Sequence, residues 1–164
     1  MVKAVRVMLE PNNVQQTKMF QYAGAARFAY NWALAKEKDN YEKGGKFISD
    51  SELRKEFTRL RNSAEYAWLQ NVSNNVTKQA IKDACIAYKN FFKSLQKYPR
   101  FKSKKKSTPK FYQDNIKIQF SDTHVKFEGF SSSRKANKQK LNWVRLAEHG
   151  RIPTDAKYMN PRIS

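Results

Sequence analysis

Cysteine is almost missing from this chain. Cys85 is the single one in 164 residues, which excludes an intrachain disulfide and a Cys-x-x-Cys zinc knuckle. Histidine is scarce as well. His124 and His149 lie in separate segments, without the paired spacing of a zinc site, so no metal ligands are expected. The five glycines form no phosphate-cradling loop. Acids are few and scattered, and Glu37, Asp39, Asp50 and Glu52 read as helix-surface or capping charges. A metal nuclease needs two or three convergent carboxylates, and no such set can be assembled from this spacing. No apolar run approaches the roughly 18 residues of a transmembrane span, and the first residues lack the layout of a signal peptide. These absences lead us to expect no cofactor, no membrane and an intracellular location.

What is abundant is positive charge. Lys and Arg number 33 against 14 Asp and Glu, a formal net charge of +19. That imbalance implies a polyanionic partner. With 40% hydrophobic and 13% aromatic residues, the chain can bury a core and is no disordered tail. The charge peaks at Tyr98-Pro-Arg-Phe-Lys-Ser-Lys-Lys-Lys, followed by Phe111-Tyr112. Seven Lys or Arg and no acid lie between Lys97 and Lys110. Cations meet phosphates, and aromatic faces stack on bases or splint the loop, so the mixture suits a nucleic-acid groove. The plainer reading of the same run is a solvated basic loop.

Val2–Leu9 reads as a strand. Pro11 breaks it, and Asn12 or Asn13 caps a helix from about Val14 to Lys43. Met19, Tyr22, Ala23, Ala26, Tyr30, Ala33 and Leu34 recur on one face of it. Gly24 and Ala25 are small enough for another helix to approach, and Gly44-Gly45 ends the helix. Ser49-Asp-Ser-Glu52 is a capping-box pattern opening a short helix with Leu53, Phe57 and Leu60 on one side. Trp68-Leu69 reads as an anchoring turn. Ser73 caps a further helix to about Lys97, and Cys85 sits in it as a small buried residue. The aromatic stripes of the long helices read as core. Beyond Pro99 the pattern turns to period two. Ile116–Phe120 and Thr123–Phe127 alternate around a turn at Ser121-Asp122, Ser131–Lys140 reads as an exposed loop, and Leu141–Leu146 is another strand. The order of strand, three helices and several strands implies an α+β chain. It is a β-barrel-like or antiparallel sheet domain with a helical insertion between its first and second strands.

Two helix starts offer polar groups to nucleic acid: Lys46, Ser49 and Ser51 at one, and Asn74, Asn75, Thr77 and Lys78 at the other. Asparagine can bond adenine bidentately, lysine reaches guanine acceptors or phosphate, and a helix N-terminus favours phosphate. Simple capping explains the same residues equally well.

Several segments carry a family resemblance. Ala25-Ala-Arg-Phe-Ala-Tyr-Asn-Trp-Ala-Leu34 resembles the first-helix signature of TnpB (OrfB) proteins of bacterial insertion sequences. Trp68-Leu69, Ala87-Tyr-Lys-Asn-Phe-Phe92, Pro99-Arg-Phe-Lys-Ser-Lys104 and Lys157-Tyr-Met-Asn-Pro-Arg-Ile-Ser164 match in order over nearly the whole chain. The resemblance implies an RNA-guided protein that binds a guide RNA, recognises a short motif on duplex DNA and opens it for guide pairing. It implies an oligonucleotide-binding-like β-barrel, the wedge, with a helical recognition insert. Residues 1–13 would then be a wedge strand, 14–97 the insert (a helix-turn-helix in older descriptions) and 98–164 an incomplete wedge barrel. By matching position, Asn74, Asn75 and Lys78 would face the motif duplex, and Tyr112 and Gln113 would join from the wedge. Arg100, Lys102, Lys104, Lys105 and Lys106 would meet RNA or DNA backbone.

The RuvC carboxylates and zinc knuckle of the family have no counterpart up to Ser164. The expectation is therefore a binding unit, not an enzyme by itself, with the RuvC part or a second copy as a further partner. A bacterial or archaeal cytoplasmic, nucleoid-associated location goes with that reading. Its rivals are a conventional helix-turn-helix transposase module and a basic structural protein such as a ribosomal component.

Overall fold

The computed structural model describes residues 1–130 and 141–164. The expected loop at 131–140 lies outside the described residues. The chain is of mixed α and β type, with three α-helices and two antiparallel sheets among the described residues, neither closed into a barrel.

It divides into two compact units, 21–112 with 162–164 and 1–20 with 113–161. In the first unit, α1 (Asn13–Glu42, which begins in the other unit) is followed by α2 (Asp50–Arg61), a 3₁₀ turn at Ala67–Asn71 and α3 (Asn74–Phe92). Each start and stop has a local cause. Ser49 Oγ accepts the Glu52 N–H at 3.3 Å, and Ser73 Oγ accepts the Asn75 N–H at 3.3 Å, so both hydroxyls satisfy free first-turn amides. At the end of α1, Gly44 takes φ +73°, and Gly45 N–H reaches back to Asn40 O at 2.8 Å. Glycine enters that left-handed conformation without a Cβ penalty. The end of α3 is built the same way with a less suited residue. Ser94 takes φ 58° and Leu95 N–H bonds Asn90 O at 2.9 Å. The helix therefore stops at Phe92, short of the expected Lys97, and Leu95 is left exposed.

The core of this unit lies between the helices. Tyr22, Ala25, Ala29, Ala33 and Leu34 of α1 are buried, as are Leu53 and Phe57 of α2 and Val76, Ile81, Ala84, Cys85 and Tyr88 of α3. Phe57 meets Phe28 and Trp32 at ring-centroid distances of 6.3 and 5.2 Å, and Tyr41 meets Tyr88 at 6.4 Å. The aromatic stripes thus act mainly as core, and Leu69 is buried in the 3₁₀ turn. Gly24 is not a close-approach point, because a Cβ added there would meet nothing within 4 Å. A two-stranded ribbon belongs here too. β2 (Phe111–Tyr112) pairs with β6 (Arg162–Ile163), Phe111 opposite Ile163.

In the second unit, β1 (Leu9–Glu10), β3 (Gln119–Phe120), β4 (His124–Lys126) and β5 (Trp143–Leu146) form an antiparallel sheet in the order β1-β5-β4-β3. Val125 faces Val144, and Leu9 faces Leu146. Val125, Phe127, Phe130, Val144 and Leu146 are buried, and the Phe127 and Phe130 rings stack at 5.0 Å.

The expected strand Val2–Leu9 shrinks to Leu9–Glu10, because β5 supplies ladder partners only there. Ile116–Phe120 departs further. Asp114 Oδ1 accepts the Ile116 N–H at 3.1 Å, and Asp114 O accepts from Lys117 and Ile118. These local bonds wind a turn out of an alternating sequence, leaving Ile116 exposed and Ile118 buried. No described helix is long and apolar enough to cross a membrane.

Candidate nucleic-acid interface

The α2–α3 pair creates a polar cavity of about 280 Å³. Its lining includes Ser51, Arg54, Lys55 and Thr58 from α2, and Asn74, Thr77 and Lys78 from α3. Four residues expected at separate helix starts, Ser51, Asn74, Thr77 and Lys78, thus come together in one cavity. Phe57 of α2 and Ile81 of α3, both buried, complete the lining. Among the described residues, the Lys55 and Lys78 ammonium groups have no acidic partner, whereas Arg54 is tied to Asp50 at 3.2 Å. A polar cleft with two uncompensated cations and an amide can hold phosphate or a base edge.

Arg61 holds one of the lining residues, Asn74. Its Nη1 donates to Asn74 Oδ1 at 2.9 Å and its Nη2 to Val72 O at 2.8 Å. Burial lowers its pKa from the ordinary arginine value. Ser49 is engaged as the α2 cap, and Asn75 is half-buried in the first turn of α3. Lys46 is exposed in the connection before α2, where its backbone oxygen accepts from Asn40 Nδ2.

Glu37 corrects the expectation of a surface charge. It is 1% exposed, and its carboxylate accepts the Ile48 N–H at 3.3 Å. The Cys85 Sγ lies 3.9 Å from the other oxygen. Burial pushes the Glu37 carboxyl up to about 7, against the Ile48 N–H, which lowers it. Burial, with the nearby Glu37 and Asp50 charges, drives the Cys85 thiol up to about 12.

The basic segment is ordered by side chains rather than by helix or strand. Pro99 is buried, and Tyr98 packs edge-on against Phe91 at 4.9 Å while its hydroxyl meets that of Tyr88 at 3.0 Å. Lys38 Nζ lies over both the Tyr98 and Phe101 rings, at 4.9 and 4.4 Å. The Asn31 amide holds the backbone of Lys102 on both sides, donating to its O and accepting from its N–H, each at 2.8 Å. The Lys102 ammonium rests over the Tyr30 ring at 4.0 Å. Burial lowers its pKa, with Lys110 and Arg162 adding repulsion.

The chain then curls. Ser103 Oγ accepts the Lys106 N–H at 3.1 Å, and Ser103 O accepts the Ser107 N–H at 2.9 Å. This turn presents Lys104, Lys105 and Lys106, all exposed and free of acidic partners among the described residues. Arg100 is exposed beside them. The aromatics therefore splint the segment, which leaves the cations to face solvent.

Tyr112 is half-exposed, with the Arg162 guanidinium over its ring at 5.4 Å. Gln113 is 1% exposed, and neither polar atom of its side chain has a partner among the described residues. As folded, it does not reach solvent. No group of three or more His, Cys, Asp or Glu able to hold a metal occurs among the described residues. Sequence reasoning missed Asn31, Arg61 and Lys55. Only Lys55 had a signal, as a basic residue on the polar face of a capped helix.

Residues 1–46 match the model of the helix-turn-helix domain of IS605-type OrfB proteins. That stretch covers β1, α1 and the glycine turn. The candidate RNA-guided DNA endonuclease InsQ of Escherichia coli is 29% identical over 143 residues, 87% of this chain and 36% of InsQ. A candidate RNA-guided DNA endonuclease of Streptomyces pristinaespiralis is 30% identical over 105 residues, 64% of this chain and 26% of that protein. The virulence protein VsdF of Salmonella dublin is 27% identical over 113 residues, 63% of this chain and 95% of VsdF. The chain thus spans about a third or less of the two endonuclease relatives. Together the matches define an insertion-sequence protein with an N-terminal helix-turn-helix domain. The helix-turn-helix match and the two endonuclease relatives support the TnpB (OrfB) family for this chain.

Proposed function

We propose that this chain is the nucleic-acid-binding wedge and recognition part of a TnpB-like protein, taking guide RNA and a short motif on duplex DNA. The observation that carries the reading is the α2–α3 cleft, where Ser51, Asn74 and Lys78 meet beside Lys55. Lys78 and Lys55 contact phosphate or a guanine edge, and Asn74, with Asn75 beside it, contacts a base edge. Lys46 and Ser49 flank the start of α2 on the same side of the reading. Arg100, Lys102, Lys104, Lys105 and Lys106 capture backbone and supply affinity rather than sequence preference. Tyr112 contributes from the wedge, and Gln113 is assigned there by resemblance alone. In this reading residues 1–13 and 98–164 belong to an oligonucleotide-binding-like wedge barrel, and 14–97 form the recognition insert.

The names of the endonuclease relatives support a DNA partner and an RNA guide. We assign no cleavage step to these residues. Cutting would belong to a RuvC-type domain, a further partner whether in the same protein or another copy. A cytoplasmic, nucleoid-associated setting suits such partners.

The test is selection from a duplex library with a randomised segment. Wild type should enrich a short motif, and Asn75→Ala with Lys78→Ala should lose that enrichment more than general binding. Equal loss on selected and scrambled duplexes overturns base reading in the cleft. The helix-turn-helix match favours one rival, a conventional duplex-binding module. Structured RNA from the same element competing off the duplex supports the guided reading, and its failure to compete supports the rival.

A further inference from the structure

We infer that Asn31 is a positioning residue for phosphate-backbone binding, acting through the basic turn at residues 103–107 without touching nucleic acid. The inference rests on the binding role proposed above for that segment. Asn31 sits on α1, far in sequence from Lys102, yet bonds both the N–H and the C=O of that residue at 2.8 Å. A carboxamide is suited to this, because it carries a donor and an acceptor in the arrangement of a peptide group.

Between α3 and β2 the chain has no helix or strand, so nothing in regular structure holds it. Its order comes from side chains placed in sequence along it. The Tyr98 hydroxyl is tied to Tyr88, Pro99 is buried, and Asn31 grips Lys102. The Lys102 ammonium is drawn onto Tyr30, the residue next to Asn31. The turn closed by Ser103 begins at the very next residue. The Asn31 clamp is thus the last fixed point before Lys104, Lys105 and Lys106. It determines where three uncompensated cations stand before any ligand arrives. Binding to an already ordered segment avoids ordering it during association.

The experiment is a double-mutant cycle on the full chain, read by fluorescence anisotropy. Its probes are a labelled random-sequence duplex DNA in one arm and a labelled structured RNA in the other. Asn31→Ala should weaken binding roughly ten-fold, the scale set by losing two backbone hydrogen bonds. In a background carrying Lys104→Ala, Lys105→Ala and Lys106→Ala, Asn31→Ala should cost little more, because its effect runs through those cations. Asn31→Asp keeps the acceptor and loses the donor. Its carboxylate then faces the Lys102 carbonyl, so it should lose at least as much binding as alanine, and it preserves the test if the alanine variant folds poorly.

A merely structural asparagine would weaken binding equally in both backgrounds, and that result overturns the inference. If the triple lysine variant binds as wild type does in both arms, the binding role of the segment fails. If the triple variant loses binding but Asn31→Ala and Asn31→Asp do not, only the positioning role fails. Loss confined to one arm identifies RNA or DNA as the source of the phosphates.

Discussion

Arg61 donates through Nη1 to Asn74 Oδ1 at 2.9 Å, and this bond orients the Asn74 carboxamide at the cleft. Because guanidinium only donates, the oxygen must point to Arg61, which leaves the amide nitrogen on the other side. A ligand entering the cleft would meet Asn74 first as a donor. Replacing Arg61 by Met should unpair Val72 O and release Asn74. We expect about 1–3 kcal/mol of destabilisation in urea unfolding. A broader sequence preference should accompany it in duplex selection. Unchanged stability together with unchanged preference would mean that Arg61 is a bystander.

Glu37 makes stability depend on pH in a defined window. Its carboxyl is raised to about 7 from 4.5 by burial, so the folded protein keeps a proton that the unfolded chain releases between those values. Stability from this group is therefore present below pH 4.5 and is lost as pH rises to about 7. The loss is at most on the order of 1.4 kcal/mol per pH unit, and it levels off above. Glu37→Gln should flatten that slope in unfolding curves taken across the window. Identical slopes in both proteins would show that the carboxyl titrates normally.

Cys85 should be a poor nucleophile in the folded protein. With its thiol pushed up to about 12 and the side chain 2% exposed, thiolate is rare and hidden at neutral pH. Alkylation followed by mass spectrometry should be slow in buffer and fast in denaturant. Rapid labelling under native conditions would show that α1 and α3 part at Glu37 and Cys85.

Gln15 joins the start of α1 to the sheet within its unit. Its Nε2 donates to Leu141 O at 3.1 Å and Trp143 O at 2.8 Å, while Oε1 accepts the Asn12 N–H at 3.0 Å. Gln15→Leu keeps the volume and removes the donors. A loss of roughly 1–3 kcal/mol is expected, because buried carbonyls lose partners. Gln15→Glu should be worse than Leu if the two carbonyls, both acceptors, dominate. The reverse order would place the weight on the Asn12 contact.

The helices were the legible part of this chain. Their caps at Ser49 and Ser73, the glycine stop and the buried faces all follow from spacing that local physics enforces. Asn12 caps α1, and the reciprocal bond between Gln15 N–H and Asn12 Oδ1 at 2.9 Å completes a capping box that Asn-x-x-Gln spells in the sequence. The strands were less legible. Alternation in Ile116–Phe120 competes with the bonds of Asp114, and the β1–β5 pairing ends at the bond from Ala147 N–H to Met8 O, short of the rest of the expected first strand. The cleft was half legible. Ser51, Asn74 and Lys78 could be named singly, but only helix packing joins them. Nothing local distinguishes Asn31 from any polar residue on a helix, because its partner is Lys102. Gln113 illustrates the opposite case, a polar residue next to a strand that folding takes inward.

The pairing of Leu9 with Leu146 also sets an order of events during synthesis. β1 is synthesised well before β5, its hydrogen-bonding partner, with α1, α2 and α3 between them. Until Trp143–Leu146 emerges, the backbone of Leu9 and Glu10 has no ladder to join. The helical unit has nearly all of its residues by Tyr112 and can assemble first. The sheet therefore closes late, by a long-range contact that is slow to form. During that interval an early strand edge stays open on the nascent chain.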